Sequence, residues 1–428
     1  MTDSITIHPA HGIAGSIVLP GDKSISHRYA MLAGIAEGTS HFENYSPGAD
    51  CASTLKCLEA LGVRCERSLN SVSIHGLGPQ LKAPAEALDC GNSGSTVRML
   101  SGILAGQQFT TQLFGDDSLS RRPMGRVIQP LSQMGAQITS SDGGLLPLTI
   151  SGAKLRALHY RAPIASAQVK TCLLFAGLFA DGETSVEEST GTRDHGEIAL
   201  RAFGAHVIQD GARASVQGHQ KLHGLEADIP GDLSSASFFL CAAALFPGSR
   251  IEIRKLLMNP TRARLLDVLI GMGVRISVTE LEEKHGELIG SVAVEGGGLE
   301  GGVIQGADTT ALIDEIPVLA AIAPYTSRGV EIRDARELRV KESDRIATIA
   351  SNLRAMGAQI EEREDGLLIA GEQRLHGTEL DSFGDHRIAM AFAVAALRAG
   401  GTSMIKGADA AVISFPGFFN LLESVAQR

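Results

Sequence analysis

Two kinds of apolar pattern alternate along this chain. The first is a run apolar on nearly every side, as in Tyr29 to Ala36, Cys172 to Ala180, Phe238 to Phe246 and Ile388 to Leu397. A helix apolar all round must be buried all round. The second is an amphipathic run that ends in Gly between an apolar and a small residue. It appears at Leu61-Gly62-Val63, Met134-Gly135-Ala136, Phe203-Gly204-Ala205, Met272-Gly273-Val274 and Met356-Gly357-Ala358. Gly suits the left-handed residue that ends a helix. These glycines recur about every 70 residues, with one longer step to Gly357. Alternating segments follow them, among them Val72-Ser73-Ile74, Leu146 to Ile150 and Leu367-Leu368-Ile369, and these predict strands. The pattern therefore predicts an α/β chain built from one unit repeated six times: a buried helix, a strand, an amphipathic outer helix and two strands. The longer step, rich in Gly and Glu from Glu280 to Gly302, is predicted to be a hairpin or loop insertion.

The sixth unit ends before strands follow its outer helix, whereas the first is preceded by a strand, Ser16 to Leu19. Circular closure resolves both facts, with residues 1–20 completing the C-terminal half. The predicted domains are residues 21–228, and 1–20 plus 229–428. The chain crosses between them at Pro20-Gly21 and Pro230-Gly231, each within a Pro-Gly-Asp tripeptide. Two adjacent crossings make a hinge, and a cleft that closes on ligands follows from it. Such closure works within a monomer, the state expected here.

Composition narrows the class. With 428 residues, a net charge of −10, 49 Gly and no Trp, the chain predicts a globular protein with many tight turns. The negative charge argues against general nucleic-acid or anionic-membrane binding. No apolar run approaches the roughly 20 residues that span a bilayer. The six cysteines (51, 57, 65, 90, 172 and 241) show neither C-x-x-C nor zinc spacing. No signal-like segment is visible, so they are expected to be reduced, mostly buried thiols of a cytoplasmic protein.

Against this acidic background, cations gather at the helix openings. The openings are Lys23-Ser24, Asn92-Ser93-Gly94, Ser166-Ala167-Gln168, Asp232 to Ser235, Asp314-Glu315 and Asp385-His386-Arg387. Ser24 or Ser26 is expected to cap the first helix, with Lys23 and Arg28 bracketing its start. Lys23, Arg28, Arg98, Arg122, Arg126, Lys170 and Arg193 stand near the first-half openings, and Lys341, Arg345 and Arg387 near the second-half ones. Helix N-termini and guanidinium groups together favour phosphate or carboxylate. Ser166 and Gln168 add neutral donors for hydroxyls. Asp314 and Glu342 stand among the second-half cations. Either one alone reads as readily as a plain ion pair; two together beside an anion site point to proton transfer. His386 taken alone reads as a buried, satisfied imidazole.

At these residues the sequence resembles the 5-enolpyruvylshikimate-3-phosphate synthase family. The resemblance rests on Leu19-Pro20-Gly21-Asp22-Lys23-Ser24-Ile25-Ser26-His27-Arg28, Asp89 to Arg98, Arg122-Pro123-Met124-Gly125-Arg126, Ser166-Ala167-Gln168-Val169-Lys170, Thr192-Arg193-Asp194-His195, Arg339 to Arg345 and Asp385-His386-Arg387. It runs from about residue 12 to residue 419 and is closest to the second class of that family. It implies two similar domains, each of three βαβαββ repeats with buried parallel helices, an inverse α/β barrel. It also implies transfer of the enolpyruvyl group of phosphoenolpyruvate to the 5-hydroxyl of shikimate 3-phosphate, on the route through chorismate to aromatic amino acids, with no metal and no organic cofactor. By motif, shikimate 3-phosphate would meet Lys23, Ser24, Arg28, Ser166, Ala167, Gln168, Arg193, Asp314 and Lys341. Phosphoenolpyruvate would meet Lys23, Asn92, Gly94, Arg122, Gln168, Arg345, His386 and Arg387. Glu342, assisted by Lys23, is the implied acid and Asp314 the implied base.

Two departures qualify the match. Many members carry Lys three residues before the Pro of the C-terminal Phe-Pro pair, where this chain has Ile413 in Val412-Ile413-Ser414-Phe415-Pro416. Some second-class members that tolerate glyphosate carry Ala where Gly94 stands, so Gly94 implies a glyphosate-sensitive protein. The rival within the fold, enolpyruvyl transfer to UDP-N-acetylglucosamine, usually uses a Cys in the loop that reads Gly115 to Arg122 here, which has none. A non-catalytic phosphate-binding scaffold is the other alternative, opposed by the presence of Lys23, Asp314 and Glu342.

Overall fold

All six openings start helices in the computed structural model, which describes residues 4–428. The buried helices are α1 (Lys23–Ile35), α2 (Gly94–Ala105), α3 (Ala167–Gly177), α4 (Leu233–Ala244), α5 (Ile316–Ile322) and α6 (His386–Ala396). Every residue of α6 is buried, as is every residue of α4 but Ser235. The cap of α1 is neither expected serine. Asp22 takes that place, its carboxylate accepting from Ile25 N at 2.9 Å, which starts the helix at Lys23. Asp232 caps α4 in the same way, from Ser235 N at 2.9 Å, so the two Pro-Gly-Asp tripeptides are structural equivalents. A carboxylate suits this place because it accepts from a free N–H and its charge meets the positive end of the helix dipole.

By its internal contacts the chain divides into two units. The first comprises Gly21–Ile229 with Lys284–Glu287; the second comprises the chain up to Pro20, Pro230–Glu283 and Leu288–Arg428. The expected division left residue 229 and residues 284–287 in the second unit; Ile229 ends the first instead. Lys284–Glu287 also belongs to the first, where Glu287 Oε1 meets His195 Nδ1 at 2.6 Å.

In the first unit three four-stranded sheets share one strand order. Each runs from a short strand, paired in parallel with the strand that follows the buried helix, through two antiparallel strands; in two of the three the short strand directly precedes that helix. Leu88–Asp89, Thr110–Phe114, Leu145–Ser151 and Gln137–Ser141 form one such sheet. The unit closes on itself because its last strand, Glu226–Asp228, pairs in parallel with Glu37–Glu43 of the first repeat.

The second unit repeats the scheme and uses the N-terminus twice. Gly12–Val18 pairs in parallel with Arg250–Leu257, and Ser4–Ile7 pairs antiparallel with Ser403–Lys406, supplying a strand that the sixth repeat lacks. The Gly- and Glu-rich stretch is a hairpin of Arg275–Lys284 and Glu287–Glu295. All five repeated glycines at outer-helix ends have positive φ: Gly62 at 88°, Gly135 at 114°, Gly204 at 94°, Gly273 at 92° and Gly357 at 88°. The sixth outer helix, Phe418–Val425, lacks such a glycine and runs straight into an extended Ala426. All six cysteines are free thiols, and only Cys65 is not fully buried. Among the described residues no helix is long and apolar enough to cross a membrane.

Candidate active site

Each unit ties together the N-termini of its three buried helices. In the first unit, Arg28 of α1 donates from Nε and Nη2 to Thr171 Oγ1 of α3, at 3.2 and 3.0 Å, and from Nη1 to Ser24 O at 2.9 Å. Arg98 of α2 donates to Gln168 Oε1 of α3 at 2.8 Å, and Gln168 Nε2 donates to Ser95 Oγ at 2.9 Å. A buried chain links His27 Nδ1 to Thr54 Oγ1 and Thr54 Oγ1 to Thr96 Oγ1, each at 2.7 Å, and Thr96 Oγ1 donates to Ser93 Oγ at 2.7 Å. These bonds lock the three openings into one polar surface.

The charge on that surface is unbalanced in a useful way. Burial lowers the Arg28 guanidinium to about 10, with Glu197 and Asp22 opposing the shift and Arg193 adding to it. Arg28 and Arg193 therefore stand close enough to repel, and an anion between them relieves both. Arg122 is buried and donates from Nη2 to Asn92 Oδ1 at 3.0 Å, while Asn92 Nδ2 donates to Asp116 Oδ2 at 2.7 Å. A Cβ on Gly94 would lie 3.0 Å from Arg98 Nη1 and 3.5 Å from Arg122 Nη1, so both guanidinium groups lie over the start of α2. Lys23 Nζ pairs with Asp50 Oδ2 at 2.9 Å and keeps 22% side-chain exposure. Ser166 caps α3, and Ala167 is its first residue. Lys23, Ser24, Arg28, Asn92, Gly94, Arg122, Ser166, Ala167, Gln168 and Arg193 thus all belong to this unit.

Two cations counted toward this surface take other places. Lys170 is sealed between Glu188 Oε2 at 2.9 Å and Glu197 Oε1 at 2.8 Å, so its charge is spent inside the fold. Arg126 is exposed in the first turn of the outer helix Gly125–Met134, in contrast to buried Arg122.

In the second unit Arg345 is the hub. Its side chain is 1% exposed and pairs with Asp385 Oδ2 at 2.8 Å from Nε and with Glu342 Oε2 at 2.6 Å from Nη2; Nη1 lies 3.7 Å from Asp314 Oδ1. Asp385 is fully buried, accepts from Ser343 Oγ at 3.1 Å and caps α6 through Arg387 N at 2.9 Å. Burial pushes its carboxyl up most strongly, but the Arg345 charge, the His386 imidazole and the hydrogen bond from Arg345 together hold it below the usual carboxylate range. Arg387 Nη1 donates to Asp314 O at 2.6 Å, and its Nη2 lies 3.9 Å from Asp314 Oδ2. Asp314 and Glu342 keep 20% and 17% side-chain exposure, so these two carboxylates flank one guanidinium while remaining reachable. His386 is buried in the first turn of α6. Lys341 pairs with Glu337 Oε1 at 3.2 Å, a contact outside the Arg345 cluster. Ile413 closes the 3₁₀ segment Ala408–Ile413 and is half-buried.

Sequence reasoning missed Asp50, Glu188, Glu197 and Arg262. Arg262 Nη2 donates to Ser234 Oγ at 2.5 Å, and Ser234 in turn donates to Glu315 beside Asp314. The available signals were weak. Asp50 reads as an ordinary first-turn acid, and Glu188 as the polar end of a strand. Among the described residues no group of three or more His, Cys, Asp or Glu is arranged to hold a metal ion.

Comparison with known proteins gives one consistent result. The family model described as EPSP synthase (3-phosphoshikimate 1-carboxyvinyltransferase) matches residues 7–422. The chain is 57% identical to a 3-phosphoshikimate 1-carboxyvinyltransferase of Koribacter versatilis (strain Ellin345), covering 99% of this chain and 100% of that one. It is 56% identical to the protein of the same name from Solibacter usitatus (strain Ellin6076), covering 98% and 99%. A solved EPSP synthase from Acinetobacter baumannii superposes with a TM-score of 0.89 at 40% identity, covering 99% of this chain and 98% of that one. With two polar helix-opening clusters on a repeated α/β fold and a family match along almost its whole length, the chain belongs to the EPSP synthase family.

Proposed function

We propose that this protein transfers the enolpyruvyl group of phosphoenolpyruvate to the 5-hydroxyl of shikimate 3-phosphate and releases phosphate. The observation that carries this reading is the Arg345 cluster, in which two accessible carboxylates, Asp314 and Glu342, share one buried guanidinium. The chemistry requires that pairing. The 5-hydroxyl oxygen bonds to C2 of phosphoenolpyruvate and loses its proton, while C3 gains one. The resulting tetrahedral adduct then loses phosphate from C2 and a proton from C3, which restores the double bond. One group must give a proton where another takes one, and both must then reverse.

Glu342, assisted by Lys23, serves as the acid toward C3, and Asp314 as the base toward the hydroxyl. Arg345 keeps both carboxylates oriented, and its own fixed contact with Asp385 prevents it from following either one. In the first unit Ser24, Arg28, Ser166 and Arg193 take the shikimate phosphate, with Gln168 directed to ring hydroxyls. The residues proposed for phosphoenolpyruvate are Lys23, Asn92, Gly94, Arg122, Gln168, Arg345, His386 and Arg387. Preorganised cations stabilise charge as phosphate departs. Ile413 supplies no cation, so the phosphoenolpyruvate contact of the family lysine is missing or supplied by another cation. Lys341 contributes to the shikimate 3-phosphate site only after leaving Glu337. The protein acts as a cytoplasmic monomer.

The test is phosphate release from phosphoenolpyruvate with shikimate 3-phosphate, beside a parallel reaction with UDP-N-acetylglucosamine. Release with shikimate 3-phosphate alone is expected. Release with the nucleotide sugar alone overturns the acceptor, and release with neither, in a folded protein that still binds shikimate 3-phosphate, overturns catalysis.

A further inference from the structure

Glu188 follows the strand Glu183–Glu187 and is buried to 1% side-chain exposure. Its carboxylate does more than neutralise Lys170. Oε1 accepts from the backbone N–H of Ser166 at 2.8 Å, and the Thr192 hydroxyl lies 2.9 and 2.7 Å from its two oxygens. Thr192 N adds a longer contact to Oε2 at 3.4 Å. One fixed group thus holds the residue that caps α3 and the residue immediately before Arg193. Lys170 does not account for this arrangement, because Glu197 already pairs with it at 2.8 Å.

We propose that Glu188 and Thr192 form a positioning clamp that sets the spacing between the Ser166 hydroxyl and the Arg193 guanidinium, and with it the preference for a phosphorylated acceptor. The inference rests on the function proposed above. Ser166 Oγ accepts from Val169 N at 3.4 Å, a long cap bond that leaves the hydroxyl proton available to a phosphate oxygen. The position of that hydroxyl follows from its backbone, which Glu188 fixes. On the other side, residues 189–194 are loop, and Arg193 is carried on it. The Thr192 hydroxyl ties this loop back to Glu188 across four residues, so Arg193 starts from a fixed backbone. A carboxylate suits this role because it offers about four acceptor sites, and a buried, charge-assisted bond is stronger than a neutral one.

Thr192 is partly exposed on a loop, so its variants separate positioning from folding. Thr192→Val keeps the shape and removes the hydroxyl; Thr192→Ser restores it. The whole protein is assayed for KM and kcat with shikimate 3-phosphate and with shikimate, which lacks the phosphate, and for binary binding of shikimate 3-phosphate by calorimetry. Thr192→Val is expected to raise KM and Kd for shikimate 3-phosphate about tenfold, the effect of one lost charge-assisted bond. KM for phosphoenolpyruvate, kcat and the parameters for shikimate should stay within about twofold, and Thr192→Ser should behave as the parent does. An unchanged KM in Thr192→Val, or an equal loss with shikimate, overturns the clamp. A parent protein that does not turn over shikimate 3-phosphate instead overturns the functional reading beneath it.

Discussion

Gly102 lies within α2 where α2 and α3 touch backbone to backbone. A Cβ there would sit 2.0 Å from Cys172 O of α3, whereas real Cβ contacts essentially never fall below 3.0 Å. Carbonyl oxygen in a helix does not swing aside, so Gly102→Ala must part the helices by about 1 Å or more, an overpacking that costs about 1–3 kcal/mol. At about 2–4 °C per kcal/mol for a unit of this size, Tm should fall by about 2–12 °C. The functional effect should be larger than the stability loss. The same two helices carry Arg98 and Ser95 on one side and Gln168 on the other, joined at 2.8 and 2.9 Å. A shift of about 1 Å breaks both bonds and misplaces the substrate-facing groups, which costs about 10²-fold in rate. The assay is kcat/KM for phosphate release, with the melting temperature on the same samples. Gly271→Ala is the control, because its Cβ meets nothing within 4 Å; it should keep full activity. A Gly102→Ala protein with the parent's Tm and kcat/KM would show that the contact between α2 and α3 does not set the site.

The other expectations follow from single contacts. Asp314→Ala should bind both substrates within a few-fold of the parent yet lose about 10²–10⁴ in kcat, and unchanged turnover removes Asp314 from the mechanism. Arg345→Met should lower stability by about 3–5 kcal/mol in denaturant titration, since it strands the sealed Asp385 carboxylate; adding Asp385→Asn should recover part of that loss. His27 is held well below its ordinary value by burial, with Lys23 and Arg28 adding to the effect. Its contribution to stability is therefore present above the unfolded value of about 6.5 and is lost as pH falls from there through the folded value. The Tm difference between the parent and His27→Gln should narrow from pH 7.5 to about 5.5, and a constant difference refutes this. Gly94→Ala adds a methyl 3.0 Å from the movable end of Arg98. It should fold normally, raise KM for phosphoenolpyruvate several-fold and raise the glyphosate concentration for half-inhibition more. Full activity of the parent in millimolar glyphosate would remove sensitivity itself.

The repeat was legible because the features that make it are local. A helix buried on all sides and an outer helix ended by a positive-φ glycine each leave a mark within about a dozen residues, and repetition multiplies that mark. Circular closure was legible as a missing strand at one end and a surplus strand at the other. A second glycine series went unnoticed although it is as regular. Gly76, Gly152, Gly218 and Gly296 would each place a Cβ within about 2 Å of a carbonyl near the end of a buried helix: those of Ala36, Gln107, Ala180 and Phe246. These glycines answer to a backbone passing over a helix end far away in sequence. Locally they read as turn residues.

The site divides along the same line. Cations and amides at helix openings were visible because each opening is a short polar word before an apolar run. Their counter-charges were not, because Asp50 reaches Lys23 across 27 residues, Glu188 reaches Ser166 across 22, and Asp385 reaches Arg345 across 40. Nothing at Lys170 distinguishes it from Lys23, yet one is sealed between two carboxylates at 5% exposure and the other keeps 22% beside one. Composition counts both as positive charge available to a ligand. Only the fold shows that Lys170 belongs to the scaffold, whereas Arg28 makes its hydrogen bonds to neutral atoms. Arg28 is buried against Thr171 and Ser24 O, beside a second arginine that repels it, and is stabilised further by any anion that arrives.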